Sequence, residues 1–517
     1  GLLWVEFETI ERHLLVHQEW ISTELLDQLE DKFESLAYRT TRRIKTLRGI
    51  IRPPKPNAPE MDWSFDQMIS WATESYLPYQ AWCSTQEQFE PELYQIGDQF
   101  CDGLSTNWDD LHANSKRMVF NILPNITPIL KSPDTVNLVV VVDNLGWSFY
   151  EVLVTQFQKQ GYYLTAADPY LAMLPTETEI SKKCLLSGEV GYSRIDDKTY
   201  KGMIEKGWVP YFNDSTFRYL SDLGNLKEVD NIDANTYVVN YLAVDRALHQ
   251  SAGEIGFSHR EHVPRLLEKV VENVIDFIEK HELQEKIRIH IVSDHGSTQI
   301  PDHIPNDLDP AFFKVPGFNA RSHRYLEVSD DKFATLADNL KVDCYFLSKN
   351  EFLLPANMLC ARRGNRFIAT DHRTYVHGGL LPEEVIVPYL AFEPVSVPLE
   401  ELTIIMPKNQ FRYRLEPIVL EVGNPNDVLV EKVQVSVLNS NVESDSCSIA
   451  AIKGKSKAIV ELQARFKQTS LPEEQTNLRL RIRYHSRGEK HVQDIQKEIV
   501  MIKMVEEKST SIFDKLE

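Results

Sequence analysis

Cysteine is scarce in this sequence, which has six cysteines among 517 residues and no CxxC pair. A disulfide framework or a zinc site built from thiolates needs several closely placed cysteines. The sequence therefore disfavours both and favours a reducing compartment, which we expect to be the cytoplasm.

Long apolar runs are also missing. No apolar segment approaches the roughly 20 residues that a helix needs to cross a bilayer. The first residues carry Glu6, Glu8, Glu11 and Arg12 in place of the apolar core of a signal peptide. We therefore expect no association with a membrane. The chain begins at Gly1 without an initiator methionine, which leaves open a fragment whose native upstream region is missing.

Positive charge is in deficit, because 56 lysines and arginines face 76 aspartates and glutamates, for a net charge of −20. Such a field repels polyanions at long range. A basic run contrasts with this balance: Arg39, Arg42, Arg43, Lys45, Arg48 and Arg52. The run is typical of a solvated helix face, and the alternative is a contact with nucleic acid or with a partner protein.

Phosphate-binding loops of the common nucleotide enzymes are absent as well. The sequence contains neither GxxxxGK[S/T] nor GxGxxG, the glycine-rich turns that cradle nucleotide phosphates. An ATPase of the P-loop class or a dinucleotide-dependent enzyme is therefore disfavoured.

The hydrophobic pattern along the chain changes twice, which indicates three domains. Helical spacing dominates residues 1–130, whereas strands and helices alternate over 131–393, which predicts a layered α/β domain with a mostly parallel sheet. Short strand-like runs separated by turn signals fill 400–505 and predict a β-sandwich of immunoglobulin-like character, without a Cys–Trp–Cys pattern. Residues 506–517 are expected to form a polar tail.

The central strand of the α/β domain is the clearest element. The segment Val136–Val142 is almost uninterrupted in β-branched and aliphatic residues, which is typical of a strand buried on both faces. It ends at Asp143. Because ligands of open α/β sheets bind at the carboxyl ends of the strands, this carboxylate is a candidate site residue.

Further polar residues come after other strands or open helices in the same domain. They are Thr178 in the segment LPTETEI, Asp245 and His249 in a DxxxH pair, Asp294 and His295 in SDHG, and His377 before two glycines. Each has a structural alternative, such as a turn, a helix cap or a loop residue. Together, carboxylate and imidazole ligands favour a pair of metal sites, where two cations clamp the oxygens of a phosphoryl group.

The order of these motifs resembles that of the alkaline phosphatase superfamily. More closely, LPTETEISKKCLLSG, VSDHG and HGGLLPEEVIVP resemble PglZ-domain proteins, which are associated with bacteriophage-exclusion (BREX) defence systems. The resemblance covers roughly residues 136–392. The CxPxR motif of sulfatases is missing, so a sulfatase is disfavoured.

The resemblance implies a role for each residue. Asp245, His249 and His377 would bind one metal ion, and Asp143, Asp294 and His295 would bind the other. Thr178 would bridge both metals as the nucleophile, with Thr176 as the fallback. Two divalent cations are expected, with zinc favoured and manganese as the alternative.

The ligand set and the resemblance together favour a metal-dependent phosphodiesterase that acts on nucleotides or nucleic acid within a phage-defence system. Its expected partners are other phage-defence proteins, with DNA or nucleotides as further candidates. Two alternatives stay open. One is a catalytically silent scaffold that docks other defence subunits, and the other is a phosphomonoesterase or phosphotransferase.

Overall fold

The computed structural model describes thirteen segments of the chain. They are residues 2–60, 62–114, 116–130, 135–207, 217–250, 259–301, 303–309, 313–336, 338–368, 375–394, 399–467, 475–486 and 489–502. The predicted tail at 506–517 lies outside them. Within these segments, none of the helices combines the length and the apolar character that crossing a membrane requires.

The described residues up to 130 are largely helical, as their spacing predicts. The α-helices are α1 (Leu2–Val16), α2 (Thr23–Lys32), α3 (Ala37–Arg48), α4 (Phe65–Trp71), α5 (Leu77–Gln86), α6 (Pro91–Thr106), α7 (Trp108–Asn114) and α8 (Ile122–Leu130). The first three helices bury an apolar cluster of their own, in which Phe7 and Phe33 meet edge to face at 5.3 Å. The later helices share one apolar cluster with the central sheet.

Several arginines of the basic run are paired within the chain. Arg43 binds Glu11, Arg48 contacts Asp27 at 2.5 Å and Glu30 at 3.0 Å, and Arg52 contacts Glu90 at 3.0 Å. These carboxylates offset the charge that a polyanion would otherwise meet. The contact with nucleic acid or a partner stays a prediction.

The α/β region mixes strands and helices up to Val292, and strands predominate after it. The strands are β1 (Val136–Val142), β2 (Tyr162–Leu171), β3 (Phe217–Leu220), β4 (Thr236–Tyr241), β5 (Ile287–Val292), β6 (Thr298–Gln299), β7 (Phe318–Ala320), β8 (Tyr325–Val328), β9 (Cys344–Leu347), β10 (Asn357–Ala361), β11 (Tyr375–Val376) and β12 (Ile386–Pro394). The α-helices are α9 (Tyr150–Lys159), α10 (Thr178–Ser187), α11 (Tyr200–Gly207), α12 (Ala243–Gln250), α13 (His259–Lys280), α14 (Asp330–Phe333) and α15 (Pro382–Val385).

The central sheet has six strands in the order β2-β12-β5-β1-β4-β3. Strand β1 pairs in parallel with β4 and β5, and β3 pairs in parallel with β4. Strand β12 is antiparallel to both of its neighbours. The sheet is therefore mixed, with one reversed strand among five that share a direction.

The burial of β1 explains its composition. Val139 and Val141 face one apolar cluster, whereas Leu138, Val140 and Val142 face the other. Because both faces of the strand are covered, every position from Leu138 onward is apolar, as the sequence predicts. The strand thereby places Asp143 at the carboxyl edge of the sheet.

Two smaller sheets flank this arrangement. One has the order β7-β8-β10-β9, and the other pairs β11 with β6. The short strand β11 ends at Val376, so it positions His377 beside the segment that comes after β5.

The described residues from 399 to 502 form two further sheets. Their strands are β13 (Thr403–Ile405), β14 (Gln410–Arg412), β15 (Leu415–Gly423), β16 (Val430–Val437), β17 (Val442–Ser444), β18 (Cys447–Ile452), β19 (Lys457–Phe466), β20 (Gln475–Ser486) and β21 (Glu489–Ile502). The orders are β13-β15-β19-β17 and β14-β21-β20-β16-β18, and both sheets contribute to one apolar cluster. Two sheets that share a core form a sandwich. Its immunoglobulin-like character and the domain boundaries stay predictions.

Candidate active site

The ends of β1 and β5 bring three predicted residues together. The strands are parallel neighbours, so Asp143 after β1 and Asp294 and His295 after β5 meet at one edge of the sheet. His295 Nε2 lies 3.6 Å from Asp143 Oδ1 and 3.8 Å from Asp294 Oδ2. All three side chains are buried. The edge therefore concentrates two carboxylates around one imidazole.

Thr178 contacts this group of buried side chains from its partly exposed side. It is the first residue of α10, it is half-buried, and its Oγ1 is 2.9 Å from His295 Nε2 and 3.4 Å from Asp143 Oδ1. Thr176 differs, because it is fully buried and its hydroxyl donates to the Gly379 carbonyl oxygen at 2.8 Å. Of the two candidate nucleophiles, Thr178 is the one whose hydroxyl faces the buried carboxylates.

Asp245 and His377 complete a second group beside the first. Asp245 lies in the first turn of α12, and its Oδ1 is 3.5 Å from His377 Nε2. The rings of His377 and His295 stack at 4.5 Å with 25° between their planes. His249 lies one helical turn after Asp245, but its side chain lies outside the described part of the structure. Its predicted role as a ligand stays a prediction.

Backbone carbonyls orient both imidazoles. His377 Nδ1 is 3.2 Å from the Thr176 carbonyl oxygen, and His295 Nδ1 is 3.1 Å from that of Gly296. A carbonyl oxygen only accepts, so each Nδ1 carries the hydrogen, and each Nε2 faces carboxylates. A neutral imidazole would then direct a lone pair at anions, which is favourable only with a cation between them.

The ligand atoms form two sets, each within 4.8 Å: Asp245, His295 and His377, and Asp143, Asp294 and His295. Imidazole nitrogen and carboxylate oxygen are ligands that zinc accepts. Asp294 Oδ2 is also buried without a hydrogen-bond partner, as expected of an oxygen that binds a cation. The residues present therefore fit a divalent metal.

Burial and the charged groups at this edge shift the pKa of His295 and of Asp143. Burial alone would lower the pKa of His295, but the carboxylates of Asp294, Asp143, Asp245 and Glu177 together raise it. Burial, followed by the Asp294 carboxylate, raises the pKa of Asp143 to about 7, while the positive charges of Lys182 and His295 oppose this shift. The carboxylates thus need positive charge nearby to stay ionised.

Two site residues were missed by sequence reasoning. The buried Lys182 places its Nζ 2.5 Å from Asp143 Oδ2, and Asn144 donates from its side chain to Asp245 Oδ1 at 3.0 Å. A signal for Lys182 was present, because it lies four residues after Thr178 and therefore on the same helix face. Burial lowers the pKa of Lys182, but Asp294 and Asp143 raise it by more, so the ammonium stays charged.

The chain was compared with protein families, curated proteins and solved structures. No family model matches the chain, and no curated protein matches it. Two of the solved structures that the chain resembles are of murine ectonucleotide pyrophosphatase/phosphodiesterase 5. The first is an inactive variant in complex with AMP, with a TM-score of 0.37 and 13% identity. The second has a TM-score of 0.38 and 14% identity. The human protein of the same name has a TM-score of 0.38 and 14% identity. Each match covers 50% of this chain and 88% of the other.

Proposed function

We propose that this chain is a metal-dependent phosphodiesterase that uses Thr178 as its nucleophile and acts on phosphodiester bonds of nucleotides or nucleic acid. One observation carries the proposal. The Thr178 hydroxyl is half-buried at a helix start and lies within 3.4 Å of both Asp143 and His295. A hydroxyl held beside buried carboxylates and imidazoles, at the amino end of a helix that favours anions, is arranged for attack on phosphorus.

The side chains divide the work of the reaction. Asp143 Oδ1 accepts the hydrogen bond of the Thr178 hydroxyl and is placed to take its proton as the Oγ1–phosphorus bond forms. The ester bond to the leaving alcohol breaks, and the departing alkoxide takes a proton from solvent water, to which Asp143 returns the proton that it accepted. Water then hydrolyses the phosphothreonine and restores the hydroxyl. A divalent cation held by the described ligands, with zinc favoured and manganese as the alternative, would supply Lewis-acid stabilisation of the phosphoryl charge.

The test is hydrolysis of a bis-aryl phosphodiester by the purified chain, after treatment with a chelator and after zinc or manganese is restored. We expect turnover only with metal, and a loss of at least about 100-fold in Thr178→Ala, since an activated nucleophile is removed. Thr9→Ala is the matched control, because Thr9 is an exposed threonine on α1. An aryl phosphomonoester assayed in parallel separates this activity from that of a phosphomonoesterase.

Two outcomes would reject the proposal. Wild-type protein that is inactive with every metal favours the scaffold alternative. Thr178→Ala that turns over as fast as Thr9→Ala would remove Thr178 from the mechanism.

The cellular role is a further part of the proposal. The resemblance of the Thr178, Asp294 and His377 motifs to PglZ-domain proteins supports a cytoplasmic place in a bacterial phage-defence system, with other defence proteins as partners. In a host protected by such a system, Thr178→Ala is expected to restore phage plating, whereas Thr9→Ala is not. Equal protection by both variants would separate the enzyme activity from defence.

A further inference from the structure

We propose that the Lys182 ammonium is the resident cation of the Asp143 and Asp294 carboxylates. The centre would then hold one divalent metal, bound by Asp245, His295 and His377, instead of two. The inference rests on the proposed phosphodiesterase function and specifies how that site is charged.

The position of Lys182 is the first argument. Its side chain is completely buried, and its Nζ lies 2.5 Å from Asp143 Oδ2 and 3.7 Å from Asp294 Oδ2. A buried ammonium is costly unless carboxylates compensate it, so the contact is maintained from both sides. Lys182 thus occupies the space where a metal bound by these two carboxylates would lie.

The helix that carries Lys182 is fixed to the strand end. The neighbouring Ser181 hydroxyl donates to the Asp294 carbonyl oxygen at 2.6 Å and accepts from the Met173 backbone N–H at 3.0 Å. Both groups are buried. The backbone of α10 therefore cannot withdraw from the carboxylates without breaking these bonds, and Lys182 remains beside them.

Three of the four oxygens of the pair accept hydrogen bonds, and the fourth, Asp294 Oδ2, lies 3.7 Å from Lys182 Nζ. Asp143 uses Oδ2 for Lys182 and Oδ1 for the Thr178 hydroxyl, and Asp294 Oδ1 accepts from the Asn144 backbone N–H at 3.3 Å. A divalent cation added to these oxygens would lie beside the ammonium, and like charges at such distances repel. Metal binding at the pair is therefore disfavoured while Lys182 is present.

The ligand set of Asp245, His295 and His377 is richer in imidazole than the Asp143 and Asp294 pair. It offers two imidazole Nε2 atoms and one carboxylate, with each Nδ1 bound to a backbone carbonyl. Imidazole nitrogen and carboxylate oxygen are ligands that zinc accepts, and the predicted ligand His249 belongs to the same set. Because His295 Nε2 is also 2.9 Å from Thr178 Oγ1, a metal at this set lies next to the nucleophile. One metal and one fixed ammonium then flank the reacting hydroxyl.

The experiment counts metal in the full chain. Protein stripped with a chelator is saturated with zinc, passed through a desalting column and assayed for zinc per chain by elemental analysis. We expect one zinc in wild type, two in Lys182→Met, which keeps an unbranched side chain but removes its charge, and one in Lys183→Met. Lys183 is the matched control, because this adjacent lysine pairs with Glu179 and not with the site.

A second pair of variants keeps the test informative if Lys182→Met fails to fold. Asp245→Asn is expected to lower the wild-type content from one zinc to none, whereas Asp143→Asn is expected to leave it at one. Two zinc ions in wild type, one zinc in a folded Lys182→Met, or equal loss in Asp143→Asn and Asp245→Asn would overturn the inference. The absence of zinc from wild type and every variant would instead reject the metal-dependent function itself.

Discussion

The side-chain amide of Asn144 donates a hydrogen bond to Asp245 Oδ1 across 3.0 Å. The same residue donates its backbone N–H to Asp294 Oδ1 at 3.3 Å. Asn144 is buried and comes directly after Asp143. One residue thus contacts a carboxylate of each ligand set, and we infer that it holds the two sets at a constant separation.

Replacement of Asn144 by glycine tests this inference. Asn144 has φ of +63°, a left-handed conformation that glycine adopts without steric cost, so Asn144→Gly removes the amide while it preserves the turn. We expect zinc affinity to fall about 10- to 100-fold, as is typical when the partner of a metal ligand is lost. Competition with a chromogenic chelator measures the affinity.

Asn144→Ala is the companion variant. It removes the same amide but places a Cβ in the left-handed region, which costs about 1 kcal/mol of unfolding free energy. We therefore expect equal zinc affinities and a lower stability for Asn144→Ala than for Asn144→Gly in urea unfolding. Wild-type zinc affinity in the glycine variant would show that the amide does not position Asp245.

The two threonines of the LPTETEI segment are expected to respond in opposite ways to valine. Thr176→Val removes a buried hydroxyl that donates to the Gly379 carbonyl oxygen and accepts from the Gly378 N–H, so we expect about 1–3 kcal/mol of lost stability. Thr178→Val removes a hydroxyl of the half-buried site, so we expect lost turnover with little change in stability. Urea unfolding and diester hydrolysis of both variants provide the measurements. Loss of turnover in a stable Thr176→Val, with an active Thr178→Val, would transfer the nucleophile to Thr176.

The convergence of the site could be predicted from local patterns. The segment Val136–Asp143 predicts a strand buried on both faces with a polar residue at its end. Parallel strands bring their carboxyl ends to the same edge of a sheet. Asp294 and His295 come after β5, and the pairing of β5 with β1 in the folded sheet brings them to Asp143. The geometry brings these residues together with Thr178, Asp245 and His377, while their functional roles stay predictions.

What could not be predicted depends on tertiary structure. A lone lysine on a helix is usually solvated, and only the packing of α10 against the strand ends buries Lys182. The reversed direction of β12 could not be predicted either, because a strand shows the same apolar pattern beside parallel and antiparallel neighbours. The partners of Arg43 and Arg48 are carboxylates of α1 and α2, so a basic run in sequence did not mean a free basic surface.

Glu383 makes the stability of the protein dependent on pH. It is buried in α15, where Oε1 accepts from the Thr298 hydroxyl at 2.6 Å and Oε2 has no hydrogen-bond partner. Burial raises the pKa of Glu383 to about 7 from an ordinary value of 4.5. Between these values the folded protein holds a proton that the unfolded chain releases. The carboxyl therefore destabilises the fold progressively as pH rises from 4.5 through 7.

Glu383→Gln is expected to remove this dependence, because an amide does not titrate. The unfolding free energy of the variant relative to wild type should increase by about 2 kcal/mol between pH 5 and pH 8, since one pKa unit corresponds to about 1.4 kcal/mol. Urea unfolding at both pH values measures the difference. Glu384→Gln is the neighbouring control. It removes the charge that faces the buried Arg324 and leaves one acceptor oxygen for the N–H groups of Gly379 and Leu381, so it should destabilise at both pH values. A difference for Glu383→Gln that is the same at pH 5 and pH 8 would mean that Glu383 does not titrate in this range.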